Sequence, residues 1–269
     1  MVVFPNCKIN LGLHVIRKRE DGYHDLETIF FPLPVSDVLE FIPSGKYSFQ
    51  SSGLPVAGPA DQNLVTKAYR LMKDEFPDLP ELSIYLHKVI PMRAGLGGGS
   101  ADGSFTLTAL NKYFQLGLST ENLVALSLQL GSDCPFFIIN QPCYARGRGE
   151  ILEPLTLKLS GYHVMLVYPG VDVSTAEAFE GIVPRQSSHF LPEKIKEPIE
   201  HWKEWLVNDF EKTVIPRFPL IGEIKEKLYA AGALYVSMTG SGSSCFGIFK
   251  SPPALHFPDH YSVFSVQLK

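Results

Sequence analysis

The segment that most constrains this chain is the run Gly95-Leu96-Gly97-Gly98-Gly99-Ser100, preceded by Pro91 and followed by Ala101 and Asp102. Upstream, Leu82, Ile84 and Leu86 alternate with polar residues, which predicts a strand over residues 82–90. Downstream, a helical stretch runs to about Phe114. The order strand, glycine loop, helix has a physical meaning. Glycine takes positive φ and lets the backbone approach a ligand closely. The first N–H groups of a helix lack intrahelical partners, and the helix dipole favours an anion there. Ser100 adds a hydroxyl able to reach a phosphate or its Mg2+. The segment is not a Walker A loop, because no Gly-Lys-Ser/Thr follows. It lacks the third glycine of the nicotinamide fingerprint, and the protein-kinase catalytic set is absent. The plain alternative is a flexible glycine connection.

Around the loop the chain reads as α+β. Residues 2–4, 9–16, 29–31 and 38–42 are predicted strands, and residues 44–58, rich in Gly, Ser and Pro, an irregular stretch. A helix is predicted from about Asp61 to Phe76, another from Ser119 or Thr120 to Leu130, and an apolar strand over 135–139. Near residue 152 the character changes, which divides the chain into domains 1–152 and 153–269. The second half reads as a strand at 161–167, a short helix at 174–179 and a loose connection at 184–198. Helices at 201–212 and 219–231 follow, then strands at 233–237 and 245–249 around the loop 238–244.

The chain has 269 residues, 45% apolar and 19% charged, enough burial for two small cores. A net charge of −4 and a pI near 6.1 argue against a nucleic-acid or anionic-membrane surface, so an anionic ligand must be held locally. No stretch approaches the ~20 apolar residues of a membrane span, and the N-terminus lacks the pattern of a signal peptide. Cys7, Cys134, Cys143 and Cys245 have no metal-type spacing and read as buried free thiols. A soluble cytoplasmic protein is expected.

The residues 91–101 resemble the phosphate loop of the galactokinase, homoserine kinase, mevalonate kinase and phosphomevalonate kinase (GHMP) superfamily. Two further motifs stand in the right order, Lys8-Ile9-Asn10-Leu11-Gly12-Leu13 and Met238-Thr239-Gly240-Ser241-Gly242-Ser243-Ser244-Cys245-Phe246. Within the superfamily, four segments resemble the branch acting on a cytidine diphosphate-linked methylerythritol. They are Arg19-Glu20-Asp21-Gly22-Tyr23-His24-Asp25-Leu26-Glu27-Thr28, Gly131-Ser132-Asp133-Cys134-Pro135-Phe136-Phe137, Ala145-Arg146-Gly147-Arg148-Gly149-Glu150 and Val173-Ser174-Thr175-Ala176-Glu177-Ala178-Phe179. The resemblance implies a two-domain GHMP kinase fold. Its N-terminal domain would be of the ribosomal protein S5 domain 2-like type, and its C-terminal domain a ferredoxin-like α/β sandwich, with the active site in the cleft between them.

The resemblance further implies ATP-dependent phosphorylation of a 2-hydroxyl, with Asp133 as general base and Lys8 orienting the hydroxyl and stabilising charge. ATP would lie against Asn63, Lys88, Pro91, Gly95, Leu96, Gly97, Gly98, Gly99, Ser100 and Ala101, with Mg2+. Tyr23 and Phe179 would stack the cytosine, typically worth about 1–3 kcal/mol per base. His24 would bond its edge, and Asn10 and Thr175 the methylerythritol hydroxyls or diphosphate. Taken singly these residues have ordinary readings. Asp133 caps a helix, Lys8 is solvated on an edge strand, Tyr23 and His24 form a hairpin tip, and Phe179 is core. Asn63 caps a helix, Lys88 is a surface lysine, and Arg146 and Arg148 pair with Glu150. Arg93 stands where the family usually has a small residue, and Gly103-Ser104 replaces a commoner alanine pair. Another small-molecule kinase of the superfamily, or a non-catalytic nucleotide-binding protein on the same scaffold, are the alternatives.

Overall fold

The structure is a computed structural model and describes residues 1–186 and 189–269. It forms two compact units. The first comprises Met1–Cys7, Val35–Met92 and Gly97–Gln141, and the second Lys8–Pro34, Arg93–Leu96 and Pro142–Lys269.

In the first unit a four-stranded sheet has the order Val2–Val3, Val38–Pro43, Leu82–Lys88, Ser48–Gly53. The last pairing is parallel and the others antiparallel. Alternation turns Leu39, Phe41, Leu82, Ile84 and Leu86 inward, where they pack with Val65, Ala68, Met72, Leu107 and Leu110. The last five come from the helices Leu64–Glu75 and Gly98–Phe114. The helix Thr120–Leu128 starts at Ser119, which forms a reciprocal capping box with Asn122.

Two expectations fail in this unit. The stretch 44–58 contains the strand Ser48–Gly53, whose Ser-rich sequence shows no apolar alternation. Its pairing with Leu82–Lys88 defines it instead. The strand ends at Gly53, with φ +78, where a Cβ would stand 2.2 Å from the Lys88 carbonyl oxygen. Residues 135–139 belong to the helix Cys134–Ile139, not to a strand. An apolar run this short carries no period, and Pro135 in its first turn suits a helix start.

The second unit carries one sheet of Asn6–Lys18, His24–Ser36, Cys143–Gly147 and Ile151–Pro154, and another of Tyr235–Met238, Cys245–Phe249, His163–Tyr168 and Ser262–Gln267. The latter is antiparallel throughout. Its Met165, Val167, Val236 and Met238 pack against Val214, Ile221, Ile224 and Leu228. Those four come from the helices Glu211–Arg217 and Pro219–Ala230.

The single helix expected over 201–212 is broken into a 3₁₀ turn, Ile199–Glu204, and the start of Glu211–Arg217. The intervening backbone is spent elsewhere. Leu13 N–H donates to the Val207 carbonyl at 2.9 Å, and Asp209 N–H donates to the Leu13 carbonyl at 2.8 Å. The connection expected at 184–198 contains the short helix Leu191–Lys194, and its Ser187 and Ser188 lie outside the described residues. All four cysteines are buried thiols outside any disulfide.

Candidate active site

The second unit holds Lys8 and Asn10 on one strand, both buried. They point to the same side because they are two residues apart. Lys8 Nζ donates to Asn10 Oδ1 at 2.7 Å and lies 4.9 Å from the centre of the Phe30 ring. Lys8 is therefore not a solvated edge residue. Asn10 is a junction. Its Oδ1 also accepts from Gly240 N–H at 3.0 Å and the Thr239 hydroxyl at 3.2 Å. Its Nδ2 donates to Thr28 Oγ1 at 2.9 Å, and its own N–H donates to Thr239 Oγ1 at 3.0 Å. With 1% exposure and its amide engaged on both sides, Asn10 serves Lys8 and the glycine-serine loop.

The same loop meets residues 93–96. Gly95 has φ +76, and a Cβ there would stand 2.0 Å from the Thr239 carbonyl oxygen. Only glycine fits this approach. Lys8 N–H donates to the Leu96 carbonyl at 3.0 Å, and Ser244 N–H to the Ala94 carbonyl at 3.3 Å. Asn208, which the sequence reading overlooked, closes the arrangement. Its Nδ2 donates to the Met238 and Gly240 carbonyls at 2.8 and 2.9 Å. An Asn-Asp pair just before a helix was the available signal, hidden by reading 201–212 as one helix.

The aromatic residues gather in this unit too. The His24 and Phe179 rings stack with centroids 4.4 Å apart and planes 16° from parallel. Phe179 is half-buried and rests edge-on against Phe210 at 4.8 Å. Tyr23 is exposed, on the turn set by Asp21 and Gly22, with the Arg148 guanidinium 4.8 Å from its ring centre. Arg148 thus faces Tyr23 as well as Glu150, to which it lies at 3.6 Å. Burial, and secondarily Lys18, lowers the His24 pKa below the ordinary histidine value, which favours a neutral ring. Thr175 is exposed in the first turn of Thr175–Phe179, a helix capped by Ser174 and Glu177.

In the first unit the helix Gly98–Phe114 begins at Gly97, which has φ +70 and provides no side-chain cap. The amides of Gly98, Gly99 and Ser100 stand in the first turn, where helix geometry supplies no acceptor. Arg93 is exposed with φ +53, a left-handed conformation that costs a non-glycine residue about 1–2 kcal/mol. Gly103 explains one departure from the family pattern. A Cβ there would meet Leu64 Cβ at 3.1 Å and Leu130 Cδ1 at 3.2 Å, so the neighbours already fill the space of an alanine.

Lys88 is no surface lysine. It is buried, with Nζ bonded to Asp37 Oδ2 at 2.5 Å and Asp102 Oδ2 at 2.8 Å. Burial opposes its charge, but Asp102 and Asp37 outweigh that and raise its pKa. Burial also raises the Asp102 carboxyl, with Asp37 adding to the effect and Lys88 opposing it. Asn63 accepts from Val65 N–H at 2.8 Å and so caps the helix Leu64–Glu75. Asp133 is half-buried at the start, not the end, of Cys134–Ile139, and makes no capping bond. Beside it, burial pushes the Cys134 thiol up to about 11, against hydrogen bonds with Ser100 and Ser104. Cys134 is thus a packing thiol rather than a nucleophile.

The family model for the GHMP kinases N terminal domain matches residues 63–141, and that for the GHMP kinases C terminal domain matches 194–256. A 4-diphosphocytidyl-2-C-methyl-D-erythritol kinase from Bacteroides fragilis strain YCH46 is 48% identical, covering 99% of this chain and 98% of the relative. The chain belongs to this family of GHMP kinases. The kinase of the same name from Azobacteroides pseudotrichonymphae is 50% identical, with 94% of each chain covered. A crystal structure of 4-(cytidine 5'-diphospho)-2C-methyl-D-erythritol kinase has a TM-score of 0.77 at 32% identity, covering 94% of this chain and 91% of that one. The mevalonate kinase of L. major shares the fold, with a TM-score of 0.67 at 15% identity over 93% and 87% of the two chains. The two-domain α+β GHMP kinase fold read from the sequence is therefore the fold of this family.

Proposed function

We propose that this chain transfers the γ-phosphoryl group of ATP to the 2-hydroxyl of 4-diphosphocytidyl-2-C-methyl-D-erythritol, giving the 2-phosphate and ADP, a step toward isoprenoid precursors. The observation that carries the reading is the junction at Asn10, which holds Lys8 and the second glycine-serine loop in one hydrogen-bonded unit. Phosphoryl transfer needs positioning and charge stabilisation more than covalent chemistry. Asp133 takes the hydroxyl proton as the acceptor oxygen bonds to the γ-phosphorus. The bond from that phosphorus to the bridging oxygen breaks, and ADP leaves. Lys8 orients the acceptor and faces the charge on the transferring group.

The ATP side is assigned to Asn63, Pro91, Gly95, Leu96, Gly97, Gly98, Gly99, Ser100 and Ala101. Lys88 acts there from behind the loop. Magnesium ordinarily binds through substrate phosphates and few protein oxygens, and the Ser100 hydroxyl in the first helical turn suits such an ion. Cytosine is assigned to Tyr23, His24 and Phe179, and the methylerythritol end to Thr175 and, through Lys8, to Asn10. The His24 ring covers one face of Phe179, so a base stacking on that face takes the place of one flat partner.

The sequential division into domains 1–152 and 153–269 is kept as part of the proposal. The two family matches fall on either side of it. No helix among the described residues is long and apolar enough to cross a membrane, which fits the cytoplasmic location we assign. The test is ADP release with ATP and Mg2+ in the presence of the cytidine substrate, mevalonate or homoserine. Release only with the first supports the proposal. Release with either of the others moves the chain to another acceptor.

A further inference from the structure

Beneath the start of the helix Gly98–Phe114 lies a buried trio, Asp37, Lys88 and Asp102, of which only the lysine was marked by the sequence. Its connections run across the base of the glycine-rich loop. Asp37 Oδ1 accepts from the N–H groups of Val89 and Ile90, at 2.6 and 2.9 Å, where the chain leaves the sheet. Asp37 Oδ2 and Asp102 Oδ2 both bind Lys88 Nζ. Asp102 stands in the opening turns of the helix, where the chain returns. The sequence of contacts is therefore strand exit, carboxylate, ammonium, carboxylate, helix.

We propose that Asp37, Lys88 and Asp102 are positioning residues. They clasp the two ends of the glycine-rich loop and fix how the first-turn amides of the helix meet the phosphates of ATP. The proposal rests on the reading of that loop as the ATP site. Two general arguments and two observations support it. A buried ion pair is a poor way to gain stability, since apolar residues of similar volume often serve the fold as well. Charged hydrogen bonds, unlike apolar contacts, fix direction. The helix start is pressed onto the trio. A Cβ on Gly98 would stand 2.9 Å from Ile90 Cγ2 and 3.4 Å from Lys88 Nζ, so a shift in the trio moves the amides above it. Finally, Asp102 Oδ1 is buried without a hydrogen-bond partner among the described residues, which is not the arrangement of a cluster tuned for stability alone.

The test replaces the charges while keeping the shapes. In the full chain, Asp37→Asn retains an acceptor for the two amides. The triple variant Asp37→Asn, Lys88→Met, Asp102→Leu makes the clasp apolar beyond them. For each, KM for ATP, KM for the acceptor, kcat, the binding of an ATP analogue and of cytidine diphosphate, and the melting temperature are measured. A 1 Å misplacement at a reacting centre is costly, so KM for ATP and the analogue's dissociation constant are expected to rise by about 10-fold or more. The acceptor KM, the cytidine diphosphate affinity and the melting temperature of the triple variant stay near those of the unaltered chain. A folded variant whose ATP constants stay within about twofold overturns the clasp while leaving the ATP site standing. If the triple variant does not fold, Asp37→Asn decides by the same readings. An unaltered chain that binds no ATP analogue overturns the functional reading and the clasp with it.

Discussion

The two glycine-serine loops, at residues 95–100 and 238–244, are braced by different means. The helix end of residues 95–100 rests on a charged trio, Asp37, Lys88 and Asp102, which sets two carboxyl groups against one ammonium. Within the loop 238–244, residues 239 and 240 rest on neutral groups, while Met238 N–H at its first residue donates to the Glu211 carboxylate at 2.8 Å. Asn10 accepts from Gly240, Asn208 donates to two of the loop's carbonyls, and the Thr239 hydroxyl bonds back to Asn10. Charged bracing is directional but depends on every member, because a lone buried charge is far costlier than a lone neutral group. Neutral bracing loses its members one at a time.

The comparison is broken most severely by Lys88→Met alone. It leaves the Asp37 carboxyl buried without its ammonium partner and is expected to cost about 3–5 kcal/mol of stability, read by denaturant unfolding. Asn208→Ala, on the neutral side, is expected to cost about 1–3 kcal/mol, the desolvation of acceptors left unpaired. Gly95→Ala comes next. Its Cβ would meet the Thr239 carbonyl, so the loops must part, and kcat/KM is expected to fall about 100-fold with the fold intact by circular dichroism.

Thr239→Val removes one hydroxyl. It is expected to cost roughly 1 kcal/mol in stability and to lower kcat more than either KM, with Thr239→Ser restoring both. The pH dependence sharpens the contrast further. The folded Asp102 carboxyl holds its proton to higher pH than in the unfolded chain. Above the ordinary carboxylate range the folded state therefore binds more protons, and stability falls as pH rises toward the raised value. The unaltered chain should lose stability relative to Asp102→Asn between about pH 5 and pH 8, while the offset of Thr239→Val stays constant with pH. The smallest effect belongs to Arg93. Loop 238–244 places its positive φ angles on Gly240 and Gly242, whereas Arg93 bears one without being glycine. Arg93→Gly is expected to gain no more than about 1 kcal/mol in thermal unfolding, since glycine's added chain entropy offsets part of the relief.

What was legible in the sequence divides along similar lines. The glycine loop, Lys8, Asn10 and the second loop lie in contiguous motifs, so they stand out in the sequence. Asp37 and Asn208 work through partners far along the chain, at Ile90 and at Gly240, and no local pattern marks them. Asn10 stands in a motif, but its partners lie far along the chain, so its bonding to Thr239 and Gly240 was missed. The strand Ser48–Gly53 is defined by its neighbour rather than its own composition. The helix Cys134–Ile139 was hidden by uniform apolarity. Ser262–Gln267 alternates in exposure along its length, but apolar Val263 beside Phe264 breaks the alternation in the sequence, and the strand went unread.

The measurement that tests the account most directly is the transfer of γ-labelled phosphate from ATP to the cytidine substrate by the unaltered chain and by Asp133→Ala. The account predicts label on the acceptor's 2-oxygen with the unaltered chain. It predicts a loss of at least about 100-fold in Asp133→Ala, from removal of the general base, while cytidine diphosphate and the ATP analogue still bind. Undiminished transfer by Asp133→Ala, or no transfer to this acceptor by the unaltered chain, would contradict it.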